Sequence, residues 1–184
     1  TQSPSSAASD VYKRQKYENP RYRSYVLVVL TLVYAVNFID RQLLTILQES
    51  IKVELDLSDL QLGLLTGLAF AIFYVLAGIP IARLAERSNR RNIIAASIGI
   101  WSLMTAISGF VTNYAQLVLA RIGVGIGEAG CSPPAHSMIS DMYPPEKRAS
   151  ALSFYSAGIN IGIMFGILFG GIINEYFGWR VAFM

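Results

Sequence analysis

The chain has 184 residues, of which 53% are hydrophobic and only 15% charged, with a formal net charge of +3. Soluble domains carry about 25% charged residues, so a deficit of this size means that much of the surface faces something other than water. The lone Cys131 rules out a disulfide framework, and the single His136 leaves neither a zinc set nor most histidine-dependent hydrolase triads. The basic residues fall between apolar runs and make no nucleic-acid face.

Residues 1–15 are Ser/Ala-rich and then basic, without the apolar core of a secretory signal. They resemble translated adapter sequence and are expected to be a non-native or disordered tail. Residues 16–24 are expected to form a cytoplasmic N-terminal segment, and 25–184 a transmembrane bundle. A spanning helix needs about 20 mostly apolar residues. Five segments qualify, roughly 25–47, 60–82, 92–111, 115–139 and 149–173, and a sixth begins near Trp179. The chain ends at Met184 just after that last run starts, so truncation at the start of helix six is expected. Short polar connections make consecutive helices antiparallel neighbours, and no sustained period-two alternation supports a β-barrel.

Helix starts are legible. Ser58 and Gln61 have the spacing of a capping box, with Leu57 and Leu62 placed as a hydrophobic staple. Asn113 and Gln116 suggest a looser version before the fourth span. Pro133-Pro134 should kink or break that span. The Lys and Arg positions set orientation. Lys16, Arg21, Arg23, Arg83, Arg87, Arg90, Arg91, Lys147 and Arg148 fall on one side, against Lys52 and Arg180 on the other. The positive-inside rule places the N-terminus in the cytoplasm.

Ionisable groups at membrane depth are costly and so are functional candidates. In span one, Asn37, Asp40 and Arg41 share a helix face, as Arg121, Glu128 and Ser132 do in span four. One reading is a polar cavity in which a carboxylate changes protonation as access alternates. The other is a set of static ion pairs, or groups that snorkel to water. His136 can be a proton relay or simply a polar residue near the interface. Gly158, Gly162, Gly166 and Gly170 form a smooth stripe on span five for close helix packing, which can also serve as a sliding contact; Gly123 and Gly127 do the same on span four. Gly125 to Gly130 matches the dinucleotide fingerprint in letters but lies inside an apolar span, where that motif has no strand to follow.

The loop after span two, Ala82-Arg83-Leu84-Ala85-Glu86-Arg87-Ser88-Asn89-Arg90-Arg91, resembles the signature loop of the major facilitator superfamily. It departs with Ala82 for Gly, Glu86 for Asp and Asn89 for Gly. Asn89 tolerates left-handed angles and is expected to stand in for a turn glycine. Arg121 and Gly125 are similar to the family's fourth-span motif. Gly162 to Gly171 is similar to its fifth-span motif, with Ile167 where antiporters often carry Pro, which weakens an antiporter assignment. Asn37-Phe38-Ile39-Asp40-Arg41, Gly123 to Ala129 and Trp179-Arg180 further resemble the bacterial spinster-like branch.

The resemblance implies an all-α membrane protein, the N-terminal six-helix half of a twelve-span fold with a central cavity opening alternately to each side. It implies secondary active transport of a lipid-like (lysophospholipid or sphingolipid) or other small organic substrate, with proton coupling. Asn37, Asp40, Arg41, Arg121 and Glu128 are the candidate substrate and coupling residues. Glu86, Arg87, Arg90 and Arg91 are the candidate cytoplasmic gate loop, although topology alone accounts for arginines there. The expected partners are the bilayer, the C-terminal half, the substrate and protons, with no nucleic acid, metal or cofactor. The expected location is a bacterial inner membrane. Organic anions and drugs are alternative cargoes, and a receptor or scaffold on the same fold is an alternative function. An enzyme is not expected, because the spans offer no nucleophile with a base and no metal cluster.

Overall fold

The structure, a computed structural model, describes residues 19–184. The expected tail at 1–15, together with Lys16, lies outside the described residues. Helix α1 (Pro20–Leu55) opens with Asn19 accepting from the Arg21 amide and Pro20 in the first turn. It closes at Asp56, whose φ of 50° is left-handed. Helix α2 (Asp59–Gly63) begins with the expected capping box: Ser58 Oγ accepts from the Gln61 amide at 3.3 Å, and Gln61 Oε1 accepts from the Ser58 amide at 2.8 Å. The path then passes through a π-helical segment, Leu64–Ala69, into α3 (Phe70–Arg87).

Helix α4 (Arg90–Ser108) corrects one expectation. Asn89 does not adopt a left-handed turn; its φ is −71°, and its side chain caps α4 by accepting from the Arg91 amide. A short polar side chain can satisfy an orphan helix donor, a job the signature glycine cannot do. Helix α5 (Tyr114–Ala129) starts with Asn113 accepting from the Gln116 amide at 3.0 Å. The return arm goes elsewhere, to the Thr112 amide at 2.9 Å. Helix α6 (Ser132–Met142) follows a break at Gly130-Cys131, upstream of Pro133-Pro134. The position follows from the prolines: without N–H groups they cannot bond to the carbonyls of Ala129 and Gly130, yet they fit in the first turn of a new helix. Helix α7 (Pro145–Phe177) is continuous and ends at Gly178 (φ 81°), before the single turn α8 (Trp179–Ala182).

Among the described residues, three helical stretches are long and apolar enough to cross a membrane: Pro20–Leu55, Asp59–Arg87 and Pro145–Phe177. The other expected spans correspond to α4, which has 19 residues and begins with two arginines, and to the broken pair α5–α6. Helix α7 packs along α1 through the glycine stripe. A Cβ added at Gly158 would lie 2.7 Å from the Thr31 carbonyl oxygen, and at Gly166 2.8 Å from Gln42 Cβ. At Gly162 it would meet the Ala35 carbonyl and Phe38. Helix α5 approaches α4 the same way, with Gly127 against Trp101 and Gly123 against Met104. Small residues allow such backbone approach where lipid gives helices no hydrophobic drive to associate.

Buried apolar side chains form two clusters. One gathers Leu27, Leu30, Trp101, Val124, Ile139 and Tyr155. The other gathers Leu44, Leu47, Ile51, Leu65, Leu117 and Trp179. Along α1 the clusters occupy residues 26–30 and 43–51, and the polar residues 37–41 lie in the layer between them. Large apolar side chains elsewhere point outward, among them Leu76 and Ile79 on α3 and Phe165 and Leu168 on α7.

Candidate functional site

Helices α1 and α5 bring the sequence-predicted polar residues together. Asn37, Asp40, Arg121 and Glu128 are each 5% exposed or less. They form two ion pairs of different character. Arg41 Nε donates to Glu128 Oε2 at 2.7 Å, a direct charge-assisted bond. Arg121 Nη1 stands 3.8 Å from Asp40 Oδ2, beyond hydrogen-bond distance. The two faces read from the sequence therefore pair crosswise, the anion of each helix with the cation of the other.

Arg41 also sits among rings that sequence reasoning missed. Its guanidinium carbon lies 5.0 Å from the Phe38 ring centroid, 4.9 Å from that of Phe70 and 5.1 Å from that of Tyr74. Cations over aromatic faces within about 6 Å are attracted by the ring quadrupole. The π-helical segment just before Phe70 sets the phase of Phe70 and Tyr74, since π-bulges change helical phase and occur often at functional sites. Within it Thr66 Oγ1 donates back to the Leu62 carbonyl at 2.9 Å. Arg41 keeps 29% of its side chain exposed while Glu128 is fully covered. The arginine is thus the member of the pair that keeps accessible surface.

Beside this pair an aromatic group joins α1, α6 and α7. The Tyr34 and Tyr155 rings stack at 4.4 Å, and the exposed His136 meets Tyr155 edge-on at 5.2 Å. Gly125 to Gly130 lies in α5 and its C-terminal cap, with Gly125 against Phe70. It packs helices and opens no phosphate loop.

At the α3–α4 junction, Arg90 forms an ion pair with Asp141 of α6, a partner the sequence did not single out. Arg90 and Glu86 help to line a cleft of ≈ 130 Å³ with Pro133, Pro134 and Ser137. Glu86, Arg87 and Arg91 are exposed. At the opposite end, Arg180 donates to the carbonyls of Gly109 (3.1 Å) and Val111 (2.6 Å), and to Glu54 Oε1. Trp179 Nε1 donates to Glu54 Oε2 at 2.6 Å. This joins the ends of α1, α4 and α7 and was also missed, because no local pattern links residues 54, 109 and 180.

Residues 30–184 match the Major Facilitator Superfamily. A crystal structure of a bacterial homolog of the human lysosomal transporter Spinster, inward-facing and unoccupied, is 51% identical with a TM-score of 0.81, covering 84% of this chain and 32% of that one. An MFS-type efflux pump of Mycolicibacterium smegmatis is 37% identical over 90% of this chain and 38% of its own length. A probable L-galactonate transporter of Escherichia coli is 31% identical over 89% of this chain and 36% of its own. The chain thus spans less than two fifths of the length of each of these three relatives. With its all-helical bundle and apolar outer surface, the chain is an integral membrane protein that belongs to the Major Facilitator Superfamily, a family of transporters, and has the fold of the N-terminal half.

Proposed function

We propose that the chain supplies the N-terminal half of a secondary active transporter working by alternating access, with Glu128 and Asp40 as proton-carrying groups balanced by Arg41 and Arg121. The carrying observation is the pair of carboxylate–arginine contacts buried between α1 and α5, where ionisable groups are retained at a cost that packing alone does not repay. Protonating Glu128 would release Arg41, and Arg41 would then be free to hold an anionic group of the substrate. The Glu128 carboxylate and the substrate would so compete for one guanidinium, and a proton on Glu128 would favour substrate on Arg41, which is a means of coupling the two. Asn37 would complete the polar wall beside Asp40.

The substrate in this reading is a lipid-like molecule with an anionic head, as the spinster resemblance implies; a smaller organic anion, of the kind that the galactonate and hexuronate transporters among the relatives are named for, or a drug-like cargo is the alternative. The protein would sit in a bacterial inner membrane with its N-terminus in the cytoplasm. Residues 16–24 would be cytoplasmic and 25–184 would form the bundle. Glu86, Arg87, Arg90 and Arg91 would latch the cytoplasmic side, with Arg90 held in place by Asp141 and the exposed members free to meet the other half.

Proteoliposomes carrying the full-length protein provide the test. Accumulation of lysophospholipid or organic anion should follow an imposed pH gradient and collapse when the gradient is dissipated. Saturable binding without accumulation under any gradient would replace the transporter reading with a receptor or scaffold.

A further inference from the structure

The Asp40–Arg121 contact differs from its neighbour in what surrounds it. Both oxygens of Asp40 are buried without a hydrogen-bond partner, and so are Nε and Nη1 of Arg121, Nδ2 of Asn37 and Oγ1 of Thr105. Thr105 comes from α4, and its hydroxyl stands beside the Asp40 carboxyl. Three helices, α1, α4 and α5, thus contribute buried polar atoms without a partner, and Arg121 and Thr105 both stand beside Asp40. Buried polar groups are nearly always paired, and a polar contact longer than 3.5 Å raises the question of a bridging water.

The chemistry selects the occupant. Asn37 and Arg121 supply three donor nitrogens, Asp40 supplies acceptors, and Thr105 can do either. A metal or sodium ion would face the Arg121 guanidinium and those N–H groups, so a cation is disfavoured. An anion would face Asp40. Water can accept from Arg121 or Asn37 while donating to Asp40, and a buried water commonly makes about three such bonds.

We propose that Asn37, Asp40, Thr105 and Arg121 form a binding site for one ordered water, and that Thr105 is the positioning residue that holds this water against the Asp40 carboxyl. Arg41 and Glu128 bond directly through Glu128 Oε2, while Glu128 Oε1 is buried without a partner. The two carboxylates are then divided in their work: Glu128 exchanges its proton against a guanidinium, whereas Asp40 passes its proton through water. That consequence rests on the coupling reading above. The existence of the site does not.

The test uses the full-length protein. A structure at a resolution that shows ordered water should place one within hydrogen-bond distance of Asp40 and of Thr105 Oγ1. It should be absent in Thr105→Val and present again in Thr105→Ser. Loss of one such bond should lower proton-driven uptake about tenfold and displace its pH profile, while substrate counterflow, which needs no net proton movement, stays within about twofold. Thr105→Ser should restore both. If Thr105→Val does not assemble, Thr105→Ala removes the same hydroxyl and takes its place. Direct contact between Asp40 and Arg121 with no water between α1, α4 and α5 would overturn the proposal, as would a Thr105→Val profile superimposable on the parent. A water seen in a protein that shows no proton-driven uptake would keep the site and remove the coupling reading instead.

Discussion

Arg41 donates to Glu128 across 87 positions of sequence, from inside a group of three aromatic rings, at a distance of 2.7 Å. Truncating one partner strands the other charge. Glu128→Ala should lower stability by roughly 2–3 kcal/mol, below the value for a fully buried pair because Arg41 keeps some exposure. Replacing both at once, as Arg41→Met with Glu128→Leu, should recover most of that loss while abolishing transport. Thermal unfolding in detergent reads the first effect, and an uptake assay the second. A double variant as unstable as the single one would show that the pair's geometry, not its stranded charge, holds α1 to α5.

The glycine stripe gives a prediction with an internal control. Gly162→Ala would push a methyl group into the Ala35 carbonyl and Phe38, so overpacking should cost about 1–3 kcal/mol and lower the unfolding temperature. Gly171→Ala, one residue past the stripe, meets nothing within 4 Å and should leave stability unchanged or slightly raised. Equal effects at the two positions would contradict the close α1–α7 approach.

Much of this fold could be read from local pattern. The capping box at Ser58 and Gln61 and the stripe from Gly158 to Gly170 depend on spacing within one helix, and spacing is what a sequence displays. Asp40, Arg41, Arg121 and Glu128 stood out because charge is rare in apolar runs. Which cation meets which anion was not legible, since that choice depends on helix rotation and on the reach of Arg41. The rings of Phe70 and Tyr74 were hidden by the π-helical segment, whose altered phase cannot be seen in a 3.6-residue period. Asn89 misled because a residue that tolerates left-handed angles is also a good N-cap, and only the backbone decides between them.

The network at Arg180 should act locally. Arg180→Ala leaves the carbonyls of Gly109 and Val111, at the end of α4, without their donor, and frees Glu54. With side-chain exposures of 32% and 48% for Arg180 and Glu54, the ion pair itself is worth under about 1 kcal/mol. Faster amide exchange should therefore be confined to the chain ends around residues 50–56 and 106–112. Uniform acceleration through α1 and α5 would mean that Arg180 supports the whole bundle.

The Arg90–Asp141 pair is also partly exposed, at 32% and 56%. A double-mutant cycle with Arg90→Gln and Asp141→Asn should give a coupling below about 1 kcal/mol in unfolding. If the loop latches the two halves, the same substitutions should alter the rate of exchange between open and closed states more than stability. Site-specific fluorescence across the cytoplasmic opening reads that rate. A coupling of several kcal/mol in unfolding would assign the pair a structural task.

The central claim is that Glu128 carries a proton whose movement is tied to substrate. The most direct measurement is substrate-driven proton movement by the full-length protein in proteoliposomes loaded with a pH indicator. The parent should move protons stoichiometrically with lysophospholipid or organic anion, and Glu128→Gln should still bind and counterflow substrate while moving none. Proton movement in Glu128→Gln equal to that of the parent would contradict the account.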